Sequence, residues 1–363
     1  MPGFLNRILS EGDAGLRRRL IAIYTLLIGA NVFVWLWAFT ALHEHPVLLG
    51  TALLAYTFGM RHAVDADHIA AIDNVTRKLM QQGQKPAGVG LFFSLGHSAV
   101  VTLMTLAVAV AASAVTSRFE SLKAIGSIVS TSASALFLFA IALVNIVVLT
   151  AVVRTFQAVN RGEPFVADDF DLLLNSRGFL SRIFRPLFGL VTKSWHLLLI
   201  GFLFGLGFDT ATEVALFGIS SAQAANGVSI GTIMVFPALF TVGMSLVDTT
   251  DGVLMLGAYG WAFDKPIRKL YYNITITAVS VVVAVLIGGI ETLGLIGDQF
   301  KMEGPFWEFI GALNDNFGVL GYIIIGVFVA SWLASVLIYR IKRYDELETA
   351  SAQRGEILVE TMV

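Results

Sequence analysis

Four stretches of this chain set imidazoles and carboxylates into otherwise apolar sequence. Residues 61–68 read Arg-His-Ala-Val-Asp-Ala-Asp-His, 95–98 read Leu-Gly-His-Ser, 207–213 read Gly-Phe-Asp-Thr-Ala-Thr-Glu and 243–251 read Gly-Met-Ser-Leu-Val-Asp-Thr-Thr-Asp. Between them they hold three of the six histidines (His62, His68, His97) and six carboxylates (Asp65, Asp67, Asp209, Glu213, Asp248, Asp251). Cysteine is absent, which excludes thiolate metal sites, disulfides and a cysteine nucleophile. Imidazole with carboxylate and no sulfur is an intermediate ligand set. It suits a divalent first-row ion such as Ni²⁺, Co²⁺ or Zn²⁺ better than Cu(I).

Spacing sharpens the reading for the first stretch. On a helix, His62, Asp65 and His68 fall at about 0°, 300° and 240°, so they share one face, whereas Asp67 falls at about 140°. Either Asp67 stands behind the ligands or the backbone leaves the helix within Gly59–Asp67. The second alternative predicts a broken helix whose His62, Asp65 and His68 face a cavity shared with His97 and Asp209, with Arg61 neutralising an acidic group. Asp209 with Glu213 (i, i+4) and Asp248 with Asp251 (i, i+3) are neighbours on their own helices. Asp73, beside Arg77 and Lys78, reads as interfacial, and Asp264 and Glu291, near the ends of apolar runs, are assigned no function.

The elements that must position these groups follow from composition. Of the 363 residues, 56% are hydrophobic and only 14% charged, and the mean hydropathy is +0.78. That is too little polar surface for a soluble protein of this size, and a net charge of −2 offers no basic patch for nucleic acid. Apolar runs of about 20 residues can span a bilayer as helices. Eight are predicted, near 20–42, 47–72, 88–115, 124–153, 195–222, 228–258, 271–296 and 317–340, giving an all-α polytopic membrane protein. Twenty of the 24 Lys and Arg fall on one side of these spans. By the positive-inside tendency both termini are cytoplasmic. The expected organisation is a cytoplasmic segment 1–19, four spans in 20–153, a cytoplasmic connector 154–194, four more spans in 195–340 and a cytoplasmic tail 341–363.

A short internal repeat is also visible. Phe93–Val100 and Phe240–Val247 are identical at four of eight positions, and Phe58-Gly59 matches Phe204-Gly205 upstream. Spans two and three would thus match spans five and six, with opposite orientation. Inverted repeats of this kind carry the substrate site of many carriers at their interface.

With those residues in view, the chain resembles the nickel/cobalt permeases. Arg61–Ile69, with its His, four residues, Asp-His spacing, looks like that family's second-helix signature. Leu95–Ser98, Leu206–Glu213 and Gly243–Asp251 resemble its other three. The resemblance covers essentially the whole chain. It implies uptake of Ni²⁺, Co²⁺ or both across the inner membrane without ATP: no cofactor, no ATPase subunit, no nucleic acid, and a divalent transition-metal ion and the bilayer as partners. It carries a metal-binding role over to His62, Asp65, Asp67 and His68 first, and to His97, Asp209, Glu213, Asp248 and Asp251 after them. Two alternatives stand beside it. A metal efflux carrier would use similar ligands, but the connector 154–194 holds no His-rich tract. An intramembrane metallohydrolase needs a general base beside a closed ligand set, and the six-residue separation of His62 and His68 is not the His-Glu-x-x-His spacing.

Overall fold

A computed structural model describes residues 14–43, 46–110, 112–161, 191–207, 210–262 and 266–341. Much of the predicted connector, the tail beyond residue 341, the first 13 residues, Asp209 and Asp264 lie outside them. The described chain is helical: α1 (Ala14–Leu42), α2 (Pro46–His62), α3 (Ala66–Gln81), α4 (Val89–Val110), α5 (Ala112–Asn160), α6 (Leu197–Gly205), α7 (Ala211–Ala225), α8 (Ile230–Ile233), α9 (Val235–Ala262), α10 (Pro266–Phe300), α11 (Pro305–Asp315) and α12 (Phe317–Ile341). Six segments are long and apolar enough to cross a membrane on their own, and the α2–α3 pair, bent by 51°, makes a seventh. The run expected as the fifth span, 195–222, is split between α6 and α7, each too short to span alone. Between the last two long helices the chain folds α11, opened by Pro305 at the first helical position.

The two breaks share one construction. In the first, α2 ends at His62, three residues form a turn, and Asp65 takes extended dihedrals at the N-cap of α3. In the second, α6 ends at Gly205 and Thr210 takes extended dihedrals at the N-cap of α7. Asp and Thr are good N-cap residues because their side-chain oxygen can accept a backbone N–H of the first turn. Neither does so here. Their side chains turn instead to His62 and Glu213. The local sequence therefore ends each helix correctly but leaves its capping group for the site.

Helix pairing follows the sequence repeat. The most extensive contacts among these elements include α4 along α6 and α9 along α2, with α4 and α9 packed together between them. Exchanging spans two and three for five and six converts one pairing into the other. Glycines set the separation. A Cβ on Gly59 or Gly243 would collide with or crowd the carbonyls of Phe240 and Tyr56. One on Gly96 or Gly201 would collide with those of Leu198 and Phe93. Around this centre Leu42, Ala52, Ala55, Phe236, Leu239 and Phe240 are fully buried in one apolar cluster. Gly59→Ala and Gly90→Ala, the latter placing a methyl against the Asp248 carbonyl, are expected to destabilise the protein by about 1–3 kcal/mol through overpacking. Gly289→Ala, with nothing within 4 Å of the new methyl, should be neutral or stabilising. Thermal unfolding of the three variants in detergent checks this.

Candidate metal centre

The first break brings the groups of 61–68 together. His62 is the last residue of α2, and its ring Nδ1 lies 2.7 Å from Asp65 Oδ2 in the turn. His68, in the first turn of α3, directs Nδ1 to both oxygens of Asp248 on α9, at 3.3 and 3.4 Å. His97 on α4 closes the group, its Nε2 2.9 Å from His62 Nε2 and 3.0 Å from Glu213 Oε1 on α7. Ring centroids of the three histidines lie 4.7, 4.7 and 4.9 Å apart. One nitrogen from each falls within 4.8 Å of the others. All three side chains are buried, as are Asp65, Glu213 and Asp248.

The partners fix the tautomers. A carboxylate accepts, so His62 and His68 donate Nδ1–H to Asp65 and Asp248, and each presents Nε2 as a lone pair. Among the described residues His68 Nε2 has no hydrogen-bond partner. A carboxylate behind one ring nitrogen is the usual support for a histidine whose other nitrogen holds a metal. His97 differs: its Nε2–H faces the Glu213 carboxylate and the His62 lone pair, and its Nδ1 is buried without a partner. Moving that proton to Nδ1 makes the third lone pair. The 2.9 Å between His62 Nε2 and His97 Nε2 is an ordinary N–H···N hydrogen bond.

The two breaks add a field. The C-terminal ends of α2 and α6 present partial negative charge to a cation. The positive N-terminal ends of α3 and α7 are offset by acidic residues in or beside their first turns, Asp65, Asp67 and Glu213.

Of the nine residues singled out from sequence, six gather here: His62, Asp65, His68, His97, Glu213 and Asp248. Asp67 is half-buried in the first turn of α3, behind the ring cluster and along a cavity of about 730 Å³. That cavity is lined by His62, Asp65, His97 and Glu213 at one end and by Asp298 and Asp315 at the other. His68 is not in its wall. Asp209 lies outside the described residues. Asp251 stands apart from the imidazoles, with Asp73 and Asp248 as its electrostatic neighbours. Arg61 lines the cavity but makes no ion pair among the described residues. Asp73 is not interfacial: it is fully buried and accepts from the Ser280 hydroxyl at 2.7 Å. Glu291 is likewise buried, held by Ser134 at 2.8 and 2.9 Å. Sequence reasoning missed Thr210 and Thr212. Thr210 donates to Glu213 Oε2 at 2.7 Å and Thr212 lies 3.5 Å from His62 Nδ1. The Thr210-x-x-Glu213 capping-box pattern was the available signal.

A family described as high-affinity nickel-transport protein matches residues 48–338, which holds every element of this centre. The chain belongs to the high-affinity nickel-transport protein family. Among the family's curated members it is 58% identical over 332 residues to the high-affinity nickel transport protein of Cupriavidus necator, covering 92% of this chain and 95% of that one. It is 47% identical over 327 residues to the nickel transporter NixA of Staphylococcus aureus (90% and 94%). To the cobalt transport protein NhlF of Rhodococcus rhodochrous it is 38% identical over 300 residues (81% and 84%). No solved structure matches this member of the nickel-transport family.

If Asp65 acts by orienting His62, Asp65→Asn should weaken metal binding about 10- to 100-fold. His62→Ala, which removes a donor outright, should weaken it more. Cobalt titration of the purified protein, followed by visible absorption, orders the two variants.

Proposed function

We propose that this chain is a secondary transporter that takes up Ni²⁺, Co²⁺ or both across the inner membrane, with both termini in the cytoplasm. It is a carrier and not an enzyme. The observation that carries the reading is a buried trio of histidines with one nitrogen of each within 4.8 Å of the others, two of them, His62 and His97, opening on a cavity. The far end of that cavity is built by Asp298, Asn314 and Asp315. These belong to the region 297–316 that the Lys/Arg distribution assigns to the outside. An ion entering there meets carboxylates first. It exchanges hydration waters for imidazole nitrogens at the helix breaks, with His62, His68 and His97 as ligands and Asp65, Asp248 and Glu213 holding the rings. Asp67 and Asp209, beside these groups in sequence, belong to the same polar lining in this reading.

The driving force is electrical. One elementary charge crossing 100 mV is worth about 2.3 kcal/mol, so a divalent ion gains about twice that. Uptake into proteoliposomes should rise with an inside-negative potassium-diffusion potential and fall with the opposite one. Indifference to the sign would overturn this coupling. His68→Ala should abolish uptake at nanomolar metal while the protein still reaches the membrane.

Acid should oppose the ion directly. Imidazole must be neutral to bind metal, and an ordinary imidazole protonates near pH 6.5. Apparent affinity is therefore expected to fall as external pH drops and to be restored on return to neutral pH. Initial-rate uptake at fixed membrane potential and varied external pH measures it.

A further inference from the structure

A second hollow, of about 470 Å³, shares no wall residue with the cavity that reaches the histidines. Three cations line it, each from a different stretch of chain: Arg19 of α1, Lys85 of the α3–α4 loop and Lys193 ahead of α6. Among the described residues no carboxylate does. Local structure explains how the last two come together. The chain leaves α3 through Gly83, whose φ of 74° glycine adopts without strain. Gln84 then donates its Nε2–H to the Thr192 carbonyl at 2.9 Å, which ties the loop bearing Lys85 to the residue before Lys193. Arg19 directs its Nε to the Gly15 carbonyl at a long 3.4 Å. Among the described residues its two Nη nitrogens have no partner, and neither has Lys193 Nζ. Cations gathered without a counter-charge repel one another, and an anion set between them turns that repulsion into attraction.

The depth of the hollow says which anion. It lies where apolar helices begin. Leu20 follows Arg19 directly, and Val89 and Leu197, the first residues of α4 and α6, follow Lys85 and Lys193 by four positions. Large apolar side chains next to these cations in sequence are exposed: Ile21 on α1, Trp195 in the short turn into α6, and Leu198 and Leu199 on α6. In a bilayer such a boundary is where headgroup phosphates meet acyl chains, and tryptophan is enriched there. Basic pockets between helices at that level suit anionic lipid headgroups. We propose that this hollow binds the phosphate of an anionic phospholipid, with Arg19, Lys85 and Lys193 around the headgroup and the acyl chains along Trp195 and Leu199. A phosphate held there bridges α1, the α3–α4 loop and the approach to α6, so the lipid staples the first half of the chain to the second.

The test uses the full-length protein in an uncharged detergent, with phosphatidylglycerol, phosphatidylcholine and inorganic phosphate as probes. Arg19→Gln/Lys193→Gln removes two cations of the hollow. Arg17→Gln/Arg18→Gln removes two exposed cations of α1 that line no part of it. All four side chains are exposed, so both double variants should unfold at the wild-type temperature when no lipid is added. In native mass spectrometry the wild type should hold phosphatidylglycerol in preference to phosphatidylcholine. The hollow variant should weaken that binding roughly tenfold or more, and the α1 control should stay within about threefold of wild type. Added phosphatidylglycerol should raise the unfolding temperature of the wild type and the control but not of the hollow variant. Equal loss of binding in the two double variants overturns the site, because it leaves only the general attraction of a basic surface for anionic lipid. A wild type that holds phosphatidylcholine equally well overturns it too. Stabilisation by inorganic phosphate as large as that by phosphatidylglycerol overturns the lipid as the occupant.

Discussion

Within a bilayer, a backbone that leaves the helix has no water to satisfy its amides and carbonyls. A broken span survives only where its polar groups are met by protein or line a wet cavity. The turn after His62 meets that condition almost entirely with its own chain. Ala63 N–H donates to Gly59, Val64 to Arg61 and Asp65 to His62, at 3.2, 3.0 and 2.9 Å, and Ile69 returns to Asp65 at 3.2 Å. Gly318 and Gly321 of α12 lie directly over it, near Asp65 and the Val64 carbonyl. The histidine centre depends on this turn. It brings His62 back toward His68 and His97 and frees Asp65 from capping to hold an imidazole.

The break also explains why α3 can be polar throughout. His68, Asp73, Asn74, Thr76, Arg77 and Lys78 are all buried on it. That would be prohibitive on a helix facing lipid. α3 is instead packed by α4, α5, α9, α10 and α12, and several of its polar residues meet a different helix: Asp248 on α9, Asn145 on α5 and Ser280 on α10. The helix is the hub of the bundle, and its polarity is spent on bonds between helices.

Much of this was legible beforehand, because ionisable groups in apolar runs are costly enough to mark a site wherever they occur. The four stretches, their helical setting and the break inside Gly59–Asp67 follow from residue type and spacing alone. What escaped was of two kinds. Burial depth is a property of packing, so Asp73 looks interfacial and Glu291 looks like an idle span-end residue in a one-dimensional scan, although neighbouring helices enclose both. Ring partners depend on three dimensions: nothing local tells that Glu213 reaches His97 or that Asp248 reaches His68. Spacing also overgrouped. Asp248 and Asp251 are neighbours on α9, yet only Asp248 contacts an imidazole. Arg61, adjacent to the ligands in sequence, points along the cavity without pairing.

The glycine contacts have a mechanical meaning. Where α2 meets α9 and α6 meets α4, two glycines on each seam set backbone against backbone. Interlocked side chains must leave their rotamer wells before two helices can shift past one another, and each unlocking adds a barrier. Bare backbone has no such wells. At these four glycines the helices meet without rotameric teeth, so the points of closest approach beside the histidines add no unlocking barrier of their own.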